Sequence, residues 1–583
     1  MRSLILLILS FSSLVAVAAT DPFTEAEFIA GLGAGQLALQ KIERQQARPE
    51  LSADDWLRWE RLRIDLYSRT EAWQSLIQRI DTQQQNIPLA ARNWFATQQV
   101  AAWLALGDGK AARQALRRLI WQAEISPPTA SLIHWRELLI RSYLLDKQAN
   151  AAHIAMLRHN QDYRAEANAT QTLRASVLLQ AGRAKDAADI LTNSKSVEAQ
   201  SLYLLAALRS ASLPATTVIK QAKKRIKAKG LDKVVRLRLW ATVAEASLAE
   251  SDTGSRVVAL ENIFSETRAS QLDDGLITLQ ADALWEAYSA HAQAVGNRGQ
   301  LLIGDDKQWF AQASKYASKP VRQRAFYALL SETARDETAR LRAHEELIRS
   351  LQKQKAGPEI MRRLYLEGSR YADIARLPPI ARYTLLEQAL TESDVSLASS
   401  LLQGLQQAPK GVAPLLWEMR RARVFIMAGD VERGSEVLAT VLKGEAVFDK
   451  AATDRFMQVV FDLQTLNEHE QALRLFEKLR LQTGDPQLQR EILYWMADSR
   501  KAQQQYAEAA VLYLRSADVP GQDLPDLWAQ SALYQAAEAL TEAGLIRDAR
   551  RIYSQLLNVS KDEARRAVLQ RRLQQLWLRD NKG

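Results

Sequence analysis

Apolar residues recur along most of the chain at positions i, i+3, i+4 and i+7, in segments of about 12 to 18 residues. This spacing places the apolar side chains on one face of an α-helix. The sequence shows neither sustained alternation of apolar and polar residues nor an Asn-Gly or Asp-Gly turn between β-branched runs, the patterns typical of strands and hairpins. Proline and glycine fall between the helical segments, as at Pro127, Pro214 and Pro320. The pattern predicts an all-α fold.

The helical segments are joined by a repeated order of turn, small residue and bulky residue. In the segment from Leu540 to Leu557, Ala549 and Tyr553 follow the turn residue Gly544 by five and nine positions. The same offsets place Ala112 and Leu116 after Gly107, Ala152 and Met156 after Lys147, Ala187 and Leu191 after Gly182, Ala398 and Leu402 after Ser393, Gly434 and Leu438 after Gly429, Ala472 and Phe476 after Asn467, and Ala509 and Tyr513 after Gln504. Neighbouring turns within the two regions lie 35 to 40 residues apart.

These offsets have a physical reason in the packing of helical hairpins. Two antiparallel helices need a tight turn, often with glycine in the left-handed conformation. A small residue early in the second helix lets the two backbones approach, and a large residue one turn later fills the groove against the next hairpin. Because one hairpin cannot bury its own apolar face, the pattern predicts that successive hairpins stack.

On these glycine, alanine and aromatic offsets the chain resembles the tetratricopeptide (TPR) repeat family, over about two-thirds of its length. The intervals exceed the family's repeat of about 34 residues, and the tryptophan expected early in each first helix is mostly absent, which leaves a general α-solenoid as an alternative. The resemblance implies a right-handed superhelix of antiparallel helix pairs that acts as a protein-binding scaffold and catalyses no reaction.

The repeat pattern also predicts how the chain is divided. Residues 1–19 are predicted to be a signal peptide and 20–210 a set of TPR-like repeats. Residues 211–375 are predicted to be a divergent helical middle section, because the offsets are not clean there. Residues 376–583 are predicted to be further repeats that end in a capping helix, with a membrane-surface helix as the alternative for that last helix.

The N-terminus predicts export. Arg2 precedes an uncharged apolar run over 4–17, and small residues follow at Ala18 and Ala19, an arrangement typical of a cleavable secretory signal. The run is short for a membrane anchor, which needs about 20 apolar residues. The chain contains no cysteine, which excludes a lipoprotein, disulfides, thiolate metal sites and a thiol nucleophile. We therefore expect a soluble periplasmic protein.

The formal net charge is +10, and its strongest local concentration lies between Lys220 and Arg238. Nine basic residues stand there against one acid, Asp232. The basic residues are Lys220, Lys223, Lys224, Arg225, Lys227, Lys229, Lys233, Arg236 and Arg238. The run indicates a site for an anionic glycan or lipid headgroups, with a solvated helix pair around Gly230 as the plainer alternative. Export argues against nucleic acid as the partner.

Catalytic, cofactor-binding and metal-binding residues are not predicted. The adjacent acids at 54–55, 273–274 and 305–306 suit helix starts better than a catalytic cleft. The six histidines do not have zinc-site spacing. The glycines at 296, 299 and 304 lack the strand before and the Lys-Ser/Thr after that a phosphate loop requires, so we expect Asp305 to cap a helix with Gln308 as its partner.

An enzymatic alternative comes from soluble lytic transglycosylases, whose exported α-superhelix is similar to this chain in length and composition. Their catalytic domain needs a Glu-Ser pair followed by a Gly-Leu-Met-Gln-like segment. The pairs at 250–251 and 392–393 lack that context, and repeats fill the C-terminal region. We therefore predict a non-catalytic periplasmic scaffold that binds another cell-envelope protein or peptide. Binding of an anionic envelope polymer is the alternative, and the oligomeric state is left open.

Overall fold

The computed structural model describes residues 21–48, 50–121, 127–163, 168–266, 276–277, 280, 282–297, 299, 304–371, 373–444, 448–518 and 526–580. These residues form helices and connecting turns, and they include no β-strand. The predicted all-α fold is therefore confirmed. The predicted signal peptide, 1–19, lies outside the described residues.

The chain divides into two compact units. The first unit comprises residues 1–302 and 311–326 and the second comprises 303–310 and 327–583, so the division runs through α16 (Asp306–Lys315) and α17 (Pro320–Thr333). The other helices of the first unit are α1 (Pro22–Gly31), α2 (Gly35–Gln46), α3 (Ala53–Arg69), α4 (Trp73–Gln83), α5 (Leu89–Ala105), α6 (Gly109–Trp121), α7 (Thr129–Leu145), α8 (Ala149–Tyr163), α9 (Asn168–Gln180), α10 (Ala184–Leu191), α11 (Val197–Arg209), α12 (Ala215–Ile226), α13 (Lys233–Ala249), α14 (Thr253–Phe264) and α15 (Ala283–Val295).

The second unit begins with a longer helix and an irregular segment and then continues as regular hairpins. Its helices are α18 (Glu337–Gln352), α19 (Gly357–Arg362), α20 (Pro379–Thr391), α21 (Val395–Leu402), α22 (Pro414–Met427), α23 (Val431–Lys443), α24 (Lys450–Thr465), α25 (His469–Gln482), α26 (Pro486–Ala502), α27 (Tyr506–Ala517), α28 (Leu527–Glu542), α29 (Ile546–Val559) and α30 (Glu563–Asp580). In each unit a helix packs mainly against its neighbours along the chain. This local pattern is typical of stacked hairpins.

The turn between α22 and α23 shows how a hairpin closes. Gly429 has φ +87°, a left-handed conformation that glycine adopts without a Cβ clash. Its N–H donates to the Ile426 carbonyl at 3.0 Å, and the N–H of Asp430 donates to the Phe425 carbonyl at 2.9 Å. These bonds satisfy the last carbonyls of α22. Asp430 then caps α23 by accepting from the N–H of Arg433 at 3.4 Å.

The eight turn residues of the sequence pattern all have positive φ, between 58° and 87°. Four of them, Lys147, Ser393, Asn467 and Gln504, are not glycine. The same conformation also occurs at turns that the sequence analysis did not recognise, namely Gly33, Glu71, Ala211 and Ser251. Hairpins of this kind therefore begin near the start of the described chain and continue into the region between 211 and 375.

The small and bulky positions of the pattern form the interior of the stack. Ala112, Ala152, Ala187, Ala398, Gly434, Ala472, Ala509 and Ala549 are buried, as are Leu116, Met156, Leu191, Leu402, Leu438, Phe476, Tyr513 and Tyr553. At Gly434, in the α22–α23 hairpin, the backbone comes close to the preceding helix. A Cβ there would lie 2.5 Å from Ile426 Cγ1 and 2.8 Å from the Ala422 carbonyl oxygen.

Regular hairpins are interrupted after α19. The chain continues from α19 as a π-helical turn, Arg363–Glu367, and then as two short 3-10 turns, Ser369–Tyr371 and Ile374–Arg376. Single π-helical turns within helices are rare and occur frequently at functional sites. Here the turn presents the buried ring of Tyr365 to His344 of α18.

Candidate functional site

The basic segment of the first unit is not one uniform patch. Lys220, Lys224 and Lys227 follow one another at i, i+4 and i+7 along α12, so they share one helix face, and all three are exposed. Lys229 is exposed in the turn that follows. Among the described residues these four lysines have neither a hydrogen-bond partner nor an ion-pair partner. We refer to Lys220, Lys224, Lys227 and Lys229 as the lysine stripe.

The other five basic residues of the segment bind to neighbouring helices or to their own turn. Their partners are Ser255 Oγ for Lys223 at 2.6 Å, Gln200 Oε1 for Arg225 at 3.0 Å, Glu266 for Lys233 at 2.6 Å, the Leu231 carbonyl for Arg236 at 3.3 Å and Ser201 Oγ for Arg238 at 3.4 Å. Arg238 is buried. Four of these side chains bind residues of other helices or turns and Arg236 binds its own turn, so the exposed basic residues of the segment that have no partner are those of the lysine stripe.

The glycine-containing segment between Gly296 and Phe310 leads into α16. The Gln308 N–H donates to Asp305 Oδ1 at 3.2 Å, so Asp305 caps α16 as the sequence analysis expected. Trp309 is buried. Residues 298 and 300–303 of this segment lie outside the described residues.

The paired acids occupy helix starts where the structure describes them. The Asp55 N–H donates to Ser52 Oγ at 3.1 Å at the start of α3, and Asp306 accepts from the Arg335 N–H at 3.0 Å. The pair at 273–274 lies outside the described residues. Across the described part of the chain, no group of three or more His, Asp or Glu side chains is arranged to hold a metal ion.

A buried ion pair joins two helices of the first unit. Arg324 binds the Glu261 carboxylate through two parallel bonds, Nε to Oε1 at 2.8 Å and Nη2 to Oε2 at 2.7 Å. The Tyr288 hydroxyl donates to the same carboxylate at 2.6 Å. Burial and the neighbouring carboxylate raise the pKa of Tyr288 well above its ordinary value. The cluster is enclosed and balanced, which indicates a structural role in joining α14, α15 and α17.

A second polar cluster lies beside the π-helical turn of the second unit. His344 Nδ1 is 2.9 Å from the Tyr365 hydroxyl, and Nε2 is 3.4 Å from the Tyr371 hydroxyl. His344 is only 4% exposed, and burial lowers its pKa to about 4. The imidazole is therefore neutral at physiological pH and serves as a hydrogen-bonding core residue.

A groove lies at the C-terminal end of the second unit and encloses a cavity of about 970 Å³. Its walls come from the last turns of α26 and α28, the C-terminal half of α30 and two tyrosines of the intervening helices. We refer to it as the C-terminal groove. Its lining residues are Asp498, Lys501, Ala502, Tyr506, Glu538, Thr541, Glu542, Tyr553, Arg572, Gln575, Leu576 and Leu578.

The cations of the C-terminal groove are bound to one carboxylate. Arg572 Nη2 lies 2.6 Å from Glu538 Oε1, and Lys501 Nζ lies 3.6 Å from Glu538 Oε2. Lys501 also donates to Gln535 Oε1 at 2.8 Å. Hydrogen bonding to Tyr534 and the nearby Glu538 raise the pKa of Arg572. The charges of these two cations are thus directed toward Glu538.

Two other carboxylates of the groove have no cation beside them. Asp498 and Glu542 are both exposed and form no ion pair with any described residue. Asp498 accepts a hydrogen bond from the buried Tyr513 hydroxyl at 3.2 Å, which holds it in place at the end of α26. Glu542 is the last residue of α28. The unpaired charge of the groove is therefore negative.

The last helix, α30, contacts the stack through a narrow seam. Leu569 and Leu576 are buried and Leu573 is partly buried. Val568 and Trp577 are 48% and 54% exposed. The seam therefore covers only part of the apolar surface of α30.

Sequence spacing does not single out the acidic residues of the groove. Each of Asp498, Glu538 and Glu542 is unremarkable beside its neighbours in sequence, and they are brought together from hairpins about 40 residues apart. A usable signal was present, because charged residues stand near the ends of two successive first helices, α26 and α28, shortly before the predicted turns at Gln504 and Gly544. Aligning the repeats on those turns would have placed these residues side by side.

None of the helices in the described ranges combines the length and apolar character needed to cross a membrane.

Comparison with known proteins does not assign a family. Neither a protein-family model nor a curated protein sequence matches this chain. Among solved structures, one match is titled "Structure of Naa15/Naa10 bound to HypK-THB" and covers 95% of this chain and 85% of that chain, with 14% sequence identity and a TM-score of 0.23. At this TM-score the two chains do not superpose as one arrangement, and the fold of this protein rests on the helical hairpins described above.

Proposed function

We propose that this protein is a non-catalytic periplasmic scaffold that binds another cell-envelope protein or peptide after removal of its signal peptide. Stacked helical hairpins support this proposal, because such arrays present extended concave surfaces suited to peptides and protein segments. The TPR-like, right-handed coiling implied by the sequence resemblance belongs to the same proposal.

The observation that supports it best is the C-terminal groove. Its volume of about 970 Å³ is at the upper end of the range of about 300 to 1,000 Å³ for small-molecule sites. Three successive first helices at spacings of about 8 to 10 Å span about 20 Å, the length of about six extended residues. The groove thus has the dimensions of a short peptide segment, and it combines charged groups with apolar walls at Ala502 and Leu576.

The test is site-specific photocrosslinking in intact cells. A photoreactive amino acid at Gln575 would face the groove, whereas the same residue at Gln574 is exposed on α30 but does not line it. The two positions are adjacent and carry the same native side chain, so expression and stability should be matched.

We expect a dominant protein adduct at Gln575 and a clearly weaker one at Gln574. Equal adducts at both positions would mean that contact with α30 does not involve the groove. Absence of any protein adduct at Gln575 would contradict the scaffold proposal at this site.

The lysine stripe supports a second candidate function, binding of an anionic envelope polymer or lipid headgroups. Four exposed ammonium groups without protein partners lie together on α12 and in its following turn. Each lysine near an anionic surface contributes about 1 kcal/mol of attraction. That attraction decreases with ionic strength.

Charge reversal tests this second function. The variant Lys220→Glu/Lys224→Glu/Lys227→Glu should lose co-sedimentation with vesicles that contain anionic lipid and with purified sacculi. A control that reverses three exposed, scattered lysines, at 110, 185 and 307, changes the net charge equally. Binding that falls equally in both variants would assign the attraction to net charge, and binding retained by the stripe variant would exclude the stripe.

A further inference from the structure

We infer that the C-terminal groove selects a basic peptide segment, in which one Lys or Arg side chain lies between Asp498 and Glu542 and an apolar neighbour packs against the groove wall. This inference rests on the proposed scaffold function and adds to it the chemistry of the partner.

The cations of the groove are paired, whereas two of its acids are not. Lys501 and Arg572 both form ion pairs with the single carboxylate of Glu538. Asp498 and Glu542 have carboxylates that face the cavity without a cation. A ligand cation would meet two unpaired acids, whereas a ligand carboxylate would have to displace Glu538 from its partners or lie beside two like charges.

Both unpaired carboxylates lie near the C-terminal ends of their helices. Asp498 lies four residues before the last residue of α26, and Glu542 is the last residue of α28. The next helices, α27 and α29, begin four residues after those ends, and the positive partial charge of their N-terminal ends offsets the negative partial charge of the C-terminal ends. The two carboxylates themselves therefore supply the attraction for a cation.

Apolar side chains line the groove beside these charges. Ala502, Leu576 and Leu578 line the groove together with the rings of Tyr506 and Tyr553. Long basic side chains bury their methylene groups along such surfaces while the charged end stays near carboxylates and water. An aromatic ring within reach adds a cation–π contribution. A Lys or Arg next to an aliphatic residue matches this lining, and an isolated metal ion would not fill it.

The experiment uses the purified full chain and three fluorescein-labelled hexapeptides that differ at one position. The peptides are Ala-Leu-Lys-Leu-Ala-Ala and the versions with Glu or norleucine in place of Lys, and binding is followed by fluorescence anisotropy. We expect the Lys peptide to bind roughly tenfold more tightly than the norleucine peptide and the Glu peptide to bind weakest, because only the Lys ammonium group would meet the two unpaired carboxylates with the opposite charge.

The variant Asp498→Asn/Glu542→Gln should abolish the preference for the Lys peptide over the norleucine peptide. The control Asp454→Asn/Glu432→Gln removes the same charge from exposed sites outside the groove and should retain the preference. Retention of the preference in the groove variant, equal binding of all three peptides, or no binding by any of them would overturn the inference.

Failure of the inference can be told apart from failure of the scaffold function. An adduct at Gln575 whose crosslinked segment contains no Lys or Arg would refute the basic-peptide inference and leave the scaffold function intact. A self-association that sedimentation detects, and that the groove variant removes, would identify a second copy of this chain as the occupant. That outcome would also overturn the inference that the groove binds a segment of another protein.

Discussion

Protonation of His344 should destabilise the second unit, and the structure gives the size of the effect. The side chain is buried with both ring nitrogens near tyrosine hydroxyls, and burial lowers its pKa to about 4. In the unfolded chain the pKa is the ordinary 6.5. At 1.36 kcal/mol per pKa unit, the difference corresponds to about 3 kcal/mol of free energy of unfolding.

The direction in which the free energy of unfolding changes with pH follows from the number of protons that the folded and unfolded chains bind. Between pH 6.5 and 4 the unfolded chain binds a proton at His344 that the folded chain does not, so the free energy of unfolding falls as the pH decreases through this range. At pH 5 the loss should be about 2 kcal/mol, at pH 4 and below about 3 kcal/mol, and above pH 7 it should be negligible.

The assay compares the wild type with His344→Gln, because other groups also titrate over this range. Unfolding in urea is monitored through hydrogen–deuterium exchange of the backbone amides of α18, because the first and second units need not unfold in one transition. The stability difference between the two proteins should change by about 2 kcal/mol from pH 7.5 to 5. A wild-type-to-variant difference that is constant with pH would refute the reasoning.

Two further predictions concern packing. Gly434→Ala should destabilise the second unit by about 1 to 2 kcal/mol in urea unfolding, because the new Cβ would meet Ile426 and the fixed carbonyl of Ala422; unchanged stability would contradict that close approach. Arg324→Met should cost about 3 to 5 kcal/mol in the first unit, because it leaves the Glu261 carboxylate buried without its cation. Adding Glu261→Gln should recover part of that loss, and a double variant less stable than the single one would contradict the explanation.

The hairpins could be predicted from sequence because they close locally. A left-handed turn, a small residue and a bulky residue lie within ten positions, and each meets a steric requirement that few residue types satisfy. The hairpin at Gly33, with Ala38 and Ile42 buried after it, obeys the same offsets. The turn at Ser251 does not, because Arg256 occupies the position of the small residue.

The lysine stripe and the C-terminal groove could be predicted only in part. Nine basic residues lie within one short segment of the sequence, but the helical period of α12 and α13 turns Arg225 and Arg238 toward other helices, and among the nine only the lysine stripe is both exposed and without a partner. The groove depends on how successive hairpins stack. Arg572, from a neighbouring hairpin, pairs with Glu538, whereas Asp498 and Glu542 remain unpaired. Sequence spacing alone does not reveal which of the three acids is paired.

The most direct test of the central claim is to fill the C-terminal groove and ask whether the partner is lost. Ala502→Trp places a large ring into the groove, and Ala507→Trp places the same ring on an exposed position that does not line it. Tagged wild type and both variants would be crosslinked in intact cells, captured and quantified by mass spectrometry. The account predicts a dominant envelope protein that the wild type and Ala507→Trp capture equally and that Ala502→Trp loses. Equal capture by all three proteins would contradict it.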